Sequence, residues 1–184
     1  MIIKNEICEI NITSDPTYSV RSTDNRHYDF EYDPGCHTRS DWYSAFSIHI
    51  NLFYKEYDIV LVGENSSDPS NCAILKDNTL TIMMENSISQ INVVNGELTL
   101  YKRFDCFGST FGLYPISNGY IVWGELEILR LDLNFEKIWS FMGRDIFVSQ
   151  SGNSPFVLGE KTIKLHDWEG NYYELDFDGK LIVS

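Results

Sequence analysis

The sequence predicts an all-β chain of short antiparallel strands, built either as propeller-like units or as a sandwich. Three observations carry this. Aromatic residues make up 14% of the 184 residues, and Ile, Val and Tyr recur throughout, a composition suited to a pleated, half-buried surface. Apolar and polar residues alternate over short runs, the period of a strand with one buried face. The runs are punctuated by Asn-Gly, Asp-Gly and similar turn pairs. No window of a dozen residues shows a capped 3.6-residue period, and few connections could hold a crossover helix, so a parallel α/β sheet is not expected.

HYDFEYDPG (27–35) is the strictest alternation. Tyr28, Phe30 and Tyr32 fall on one parity, and Asp29, Glu31 and Asp33 on the other. A strand here would bury three aromatics, show three carboxylates and stop at the Pro34-Gly35 turn. CHTRSD (36–41) reads as a polar loop, and SDWYSAF (40–46) is the best helical candidate, with Ser40 or Asp41 able to cap it. Strands follow at FSIHINLF (46–53) and YDIVLVG (57–63), then a polar loop, ENSSDPSN (64–71). TLTIMM (79–84), SQINVV (89–94), ELTLYKRF (97–104), GYIVWG (119–124), EILRLDL (127–133), KIWSF (137–141) and DIFVS (145–149) come next. TIKLHDW (162–168), YYELDF (172–177) and KLIV (180–183) complete the set. Turns are expected at 95–96, 117–119, 151–155, 169–171 and 178–179.

A short pattern, an apolar residue followed by Asn or Asp, returns at Ile10-Asn11, Ile50-Asn51, Ile91-Asn92, Leu131-Asp132 and Leu175-Asp176. The spacing is about 40 residues. INVVNGELTL, LDLNFEKIW and LDFDGKLIV each read as an outer hairpin. Units of this length holding about four short strands resemble β-propeller blades. The resemblance is clearer over 57–184 than over 1–56, and it lies in period and hairpin style. The chain has neither the Gly-His and Trp-Asp pair of WD40 blades nor the kelch double glycine. The competing architecture is a non-repeating antiparallel sandwich or open barrel. Either way, 1–184 is expected to be a single domain that buries roughly 70% of its unfolded surface.

Charge bounds the function. Net charge is −13, from 27 acids against 14 bases, and the excess leans toward the N-terminal half. Nucleic-acid backbones and anionic membranes both call for clustered Lys and Arg, so neither is an expected partner. No run approaches the ~18 apolar residues of a membrane span, and the N-terminus lacks the apolar core of a signal peptide. A cytoplasmic protein with reduced thiols is expected, because Cys8, Cys36, Cys72 and Cys106 are far apart and form no Cys-x-x-Cys pair.

Catalytic motifs are sparse. The acid pairs Glu125 with Glu127, Asp176 with Asp178 and Asp29 with Glu31 have the spacing of a solvated strand face. A glycosidase pair would have to come from different strands. Cys36-His37 and His166-Asp167 are adjacent in sequence, which points their side chains apart and suits no metal. His27 and His49 add no ligand spacing, and there is no nucleophile elbow, phosphate loop or calcium loop. No cofactor or metal is expected.

Acids and aromatics together are the least generic feature. Asp24, Asp29, Glu31, Asp33 and Asp41 stand among or beside Tyr28, Tyr32, Trp42 and Tyr43, and Trp168 is a further surface candidate beside a turn. Trp123 and Trp139 fit the sheet core. A polar strand face is an ordinary requirement of a half-buried sheet, but carboxylates beside aromatics also suit a partner rich in Lys and Arg. In size, acidity and lack of an export signal or catalytic motif, the chain resembles bacterial immunity proteins that mask nuclease toxins. That resemblance implies a non-enzymatic inhibitor docking on a basic protein through Tyr28, Asp29, Glu31, Tyr32, Asp33, Asp41, Trp42 and Trp168. The alternatives are a carbohydrate-active hydrolase on a β scaffold and a structural component of an assembly.

Overall fold

The computed structural model describes residues 1–64, 69–149, 152 and 154–183. Among them there is no helix, and the strands form four sheets dominated by antiparallel pairs, as expected. The chain divides into two compact units, Met1–Arg103 and Phe104–Ser184, each holding two sheets.

The first unit opens with β1 (Ile2–Lys4), β2 (Glu9–Ser14), β3 (Phe30–Tyr32), β4 (Tyr43–Asn51) and β5 (Glu56–Glu64). They lie in the order β1-β2-β4-β5-β3. β3 runs parallel to β5, and the other pairs are antiparallel. The second sheet is a plain meander of β6 (Ala73–Lys76), β7 (Thr79–Met84), β8 (Ser87–Asn92) and β9 (Leu98–Arg103). Part of ENSSDPSN, residues 65–68, lies outside the described residues.

Alternation explains the packing. Phe46, Ile48 and Ile50 on β4 and Ile59 and Leu61 on β5 point one way, into a core shared with Leu80, Ile82 and Ile91 of the second sheet. Ala45, Val60 and Val62 point the other way, where Val20 and Tyr28 cover them. Both faces are buried over Ala45–Ile48 of β4 and Ile59–Gly63 of β5, which is why IVLVG reads as a continuous apolar run. The cover is segment 15–29, which contains no strand. Burying Val20 and Tyr28 stabilises it by roughly 1.5–3 kcal/mol each.

The second unit holds two more meanders. One is β10 (Thr110–Ile116), β11 (Gly119–Gly124), β12 (Glu127–Leu131) and β13 (Lys137–Met142). The other is β14 (Phe156–Leu158), β15 (Thr162–His166), β16 (Tyr172–Asp176) and β17 (Leu181–Val183). Ile121, Ile128, Phe147, Phe156, Ile163 and Leu165 form their common core. A four-stranded up-and-down sheet is the strand plan of a propeller blade, and three of the four sheets follow it.

The 40-residue repeat has a physical basis in four of its five members; the first, Asn11, lies inside β2, paired with Ile2 and His49. Asn51, Asn92, Asp132 and Asp176 stand where a strand turns into a hairpin. In each, the side-chain oxygen accepts a backbone N–H two residues on, from Phe53, Val94, Asn134 and Asp178 at 2.8–3.0 Å. These are Asx turns. The preceding Ile50, Ile91, Leu131 and Leu175 are all fully buried. INVVNGELTL, LDLNFEKIW and LDFDGKLIV are indeed hairpins, β8–β9, β12–β13 and β16–β17.

Three local expectations are corrected. SDWYSAF is not helical, because Asp41 closes a turn onto Thr38 and the apolar alternation that follows is recruited by β4. DIFVS is not a strand. Phe147 is pulled into the core while its N–H donates to Glu125 O at 2.7 Å, so the segment plugs a sheet instead of extending one. Glu127 is not on a solvated face; it is buried, accepts the Phe107 N–H at 2.7 Å and lies 3.8 Å from Lys137 Nζ. Within the expected turn 151–155, residues 151 and 153 lie outside the described residues.

Phe135 sits at φ +60 in the β12–β13 hairpin, where the β16–β17 hairpin has Gly179 at φ +80. Its ring is buried and stacks on Tyr120 at 4.8 Å. Burial of a Phe outweighs the roughly 1–2 kcal/mol of left-handed strain. Phe135→Gly is therefore expected to destabilise the second unit by about 2 kcal/mol in urea unfolding, despite relieving the backbone.

Candidate functional site

The first unit gathers most of the expected site residues into two loops, 15–29 and 33–42, laid beside β3 and β4. The row of carboxylates on HYDFEYDPG does face outward, as parity demands, but each acid is engaged locally. Asp29 Oδ2 accepts the Asp58 N–H at 2.8 Å, and its own N–H donates to Asp58 O, fastening the start of β3 to β5. Glu31 Oε2 accepts the Tyr18 hydroxyl at 2.9 Å. Asp33 Oδ1 meets His37 Nδ1 at 2.5 Å. His37 is buried, lies 5.9 Å from the Tyr43 ring and presses on Gly35, where an added Cβ would come within 2.4 Å of its Cε1. Only glycine lets the imidazole lie there.

The aromatics divide by role. Tyr28 is buried and its hydroxyl donates to Asp15 Oδ2 at 2.6 Å, while the Arg26 guanidinium sits 4.4 Å from its ring centre. Burial, and then the bond to Asp15, pushes its hydroxyl pKa up. Tyr18, edge-on to Tyr28 at 6.0 Å, is raised in the same way by burial and by Glu31. Tyr32 is half-buried and donates to Gly96 O at 2.8 Å. Trp42 differs, being 83% exposed. Trp168 belongs to the second unit, 44% exposed on the β15–β16 turn, with its N–H donating to Ile146 O at 2.8 Å.

Asp41 positions Trp42. Its Oδ2 accepts the Thr38 N–H at 2.6 Å and the Thr38 hydroxyl at 2.9 Å, and these bonds hold its carboxyl below the usual range. Arg39 ties the two loops together, donating from Nε to Val20 O at 3.2 Å and from Nη2 to Arg21 O at 3.1 Å. Tyr43 contributes through its hydroxyl, which accepts the Val20 N–H at 3.0 Å.

An open recess of about 370 Å³ lies between these groups, lined by Pro16, Tyr18, Arg39, Ser40, Asp41, Trp42 and Tyr43. A second, of about 280 Å³, is lined by Thr13, Ser14, Asp15, Thr17, Arg26 and Ser47. Each holds one carboxylate, whereas glycoside hydrolysis asks for two flanking the bond. The first recess pairs an exposed indole with a carboxylate fixed in its charged form. That combination offers a cationic side chain both a ring face and an ion partner.

Tyr43 was legible as an aromatic next to Trp42; Tyr18 was not, because it reaches the recess through segment 15–29, and Arg39 was not, because a lone base in a polar loop carries no signal. His37 carried a signal: it follows Asp33 by four residues around a Pro-Gly turn, a spacing that brings the two side chains together.

No protein-family model matches the chain, and no curated protein does. Among solved structures, the crystal structure of Kluyvelomyces marxianus Hsv2 is similar over 84% of this chain, at 11% identity and a TM-score of 0.43. KlHsv2 with loop 6CD replaced by a Gly-Ser linker is similar over the same share, at 10% identity and a TM-score of 0.44. The chain spans about half the length of each, 49%.

Proposed function

We propose that the chain is a protein-binding module that docks a basic partner on the 15–43 loop cluster, with Trp42 as its anchor. In its most concrete form it masks a cationic working surface, in the manner of an immunity protein. The observation that carries the reading is Trp42 itself, which stands 83% exposed beside an open recess, on loops held by side-chain bonds. Large aromatics on pre-ordered scaffolds are the residues that carry binding energy at interfaces. The row Asp29, Glu31 and Asp33 supports the reading as a source of negative field and as the loops' own framework.

This division sets the test. Reversing Asp29, Glu31 and Asp33 would unfasten the loops, and Asp41→Lys would release the Thr38 turn. Trp42→Ala and Asp24→Lys are therefore the informative variants, Asp24 being exposed on segment 15–29 and bonded to Ser22 through its backbone N–H. Wild type and both variants are used as parallel baits, and the recovered basic protein is titrated against each by calorimetry and stopped flow. Trp42→Ala is expected to weaken binding about 30-fold or more, the effect of a hot-spot residue. Asp24→Lys should slow association, and raising salt should slow the wild type, since exposed charges are screened within about 8 Å at physiological ionic strength. Equal retention of the same partner by all three baits would sink the proposal.

A further inference from the structure

The β4–β5 hairpin carries a feature that the fold does not explain. Its tip is Asn51-Leu52-Phe53-Tyr54-Lys55. Leu52 is buried, its N–H donates to Lys55 O at 2.9 Å, and Asn51 Oδ1 accepts the Phe53 N–H at 2.8 Å. These bonds set Phe53 at φ +67 and turn Phe53 and Tyr54 outward, 69% and 77% exposed.

The other hairpins that open on an Asx turn reach positive φ one or two residues further on, and show what this conformation usually requires. Gly96 lies under Phe30 at φ +80, and Gly179 lies under Trp139 at φ +80. Phe135 tolerates φ +60 because its ring is buried on Tyr120. Among the described residues, the remaining non-glycine residues with positive φ are Arg21, Cys36, Asn71, Asp77 and Glu85, none of them a large apolar side chain. Phe53 alone among the described residues combines left-handed strain, a bulky ring and exposure. For such a residue this conformation is an outlier. Asn or Gly would suit both the backbone and the solvent better.

We infer that the Phe53–Tyr54 tip is an anchor that inserts into an apolar pocket, rimmed by Lys or Arg, on a protein partner. Exposed paired aromatics on a rigid turn have the form of an interface hot spot, since they bury large area for little conformational entropy. Charge selects the occupant. Glu56 and Asp58 follow on the same hairpin, clasping His49 at 3.9 and 3.0 Å, and Glu9 is in register with Asn51. The nearby cations are Lys4, opposite Glu9, and Lys55, which lies 5.0 Å from the Tyr57 ring centre. With a chain charge of −13, a second copy and an anionic bilayer are both repelled. The inference rests on the protein-binding reading but concerns a separate surface. β4 runs from Tyr43, next to Trp42, to Asn51, so the tip lies at the far end of the strand, roughly 30 Å away at about 3.3 Å per residue.

Two measurements test it. First, Phe53→Asn should melt about 2 °C higher than wild type, because strain is relieved and no burial is lost. A lower melting temperature would show that Phe53 serves the fold and would overturn the proposal. Second, p-benzoylphenylalanine is placed in the full chain at position 53, and at position 77 as an exposed hairpin control, and irradiated in the cell that makes the protein. Support is a single protein cross-linked from 53 and not from 77, with the linked residues mapping to an apolar pocket beside Lys or Arg. Cross-linking to lipid, to a second copy, or at no more than the control level overturns it. Repeating the irradiation with Trp42→Ala separates the two readings. A cross-link that persists while the Trp42-dependent partner is lost belongs to the tip alone; loss of the tip cross-link in the Trp42→Ala chain would make the tip subordinate to the loop cluster and overturn its standing as a separate anchor.

Discussion

Replacing Arg130 with alanine is expected to cost the second unit about 3 kcal/mol. Arg130 is on β12, a strand whose five residues are all buried. Its Nη2 donates to Asn118 Oδ1 at 2.6 Å and its Nη1 donates to Phe177 O at 2.5 Å. Trp139 Nε1 donates to that same carbonyl at 3.0 Å, so Phe177 O uses both lone pairs. The guanidinium thus ties the third sheet to the β16–β17 turn of the fourth. The nearest carboxylate, Asp178, is 3.9 Å away and 94% exposed, so the charge is held by neutral acceptors rather than by an ion pair. Alanine removes the bonds, opens a cavity and leaves the Asn118 amide without its partner. Arg130→Met keeps the stem's volume and should cost about half as much. Urea unfolding followed by tryptophan fluorescence checks both; a loss below about 1 kcal/mol for alanine would refute this account.

Some of this architecture was legible because it is local. Asn51, Asn92, Asp132 and Asp176 could be read as a repeat because an Asx turn needs that residue type at the strand's end, whatever packs above it. The parity of Tyr28, Phe30 and Tyr32 against Asp29, Glu31 and Asp33 is likewise a property of the strand alone. What the acids do was not legible. Asp29 is spent on Asp58, Glu31 on Tyr18 and Asp33 on His37, and two of these partners are more than ten residues away. The same limit hid Glu127, whose i, i+2 relation to Glu125 mimics a wet face while Lys137 and Phe107 receive it in the interior. It also hid β10, where Gly112 and Pro115 interrupt the pattern and a bulge follows Thr110. Of the candidate site, Asp41 and Trp42 were visible as composition. The recess beside them depends on how segment 15–29 is laid over β4 and β5, which no short-range period encodes.

That segment is where stability and binding should separate. Asp15 holds its entrance: Oδ1 accepts the Thr17 N–H at 3.0 Å and the Thr17 hydroxyl at 2.6 Å, Oδ2 accepts the Tyr28 hydroxyl at 2.6 Å, and Arg26 Nε lies 3.9 Å away. Burial by itself would raise this carboxyl, but the Thr17 and Tyr28 bonds and the Arg26 charge prevail and hold it below its ordinary value. A carboxyl that ionises more readily in the folded chain than in the unfolded one stabilises the fold fully above its unfolded pKa, about 4. The contribution drains away as pH falls from there through the lower folded value. Asp15→Ala is expected to cost about 2–3 kcal/mol at pH 7, since three bonds to a charged acceptor are lost and the buried Tyr28 hydroxyl keeps only Ser47 and Arg26 beside it. Asp15→Asn should cost less at pH 7, and its stability should fall less steeply than the wild type's below pH 4, as chemical unfolding across pH 2–7 would measure. Binding adds the decisive contrast. Trp42→Ala removes an exposed ring, so it should leave the melting temperature unchanged while weakening the partner. Asp15→Asn touches nothing in the Trp42 recess, yet it frees the loop that carries Pro16 and Tyr18, so it should lower both stability and affinity. If Asp15→Asn lowers stability and leaves affinity intact, the loop's order is irrelevant to docking and the recess is not the contact surface.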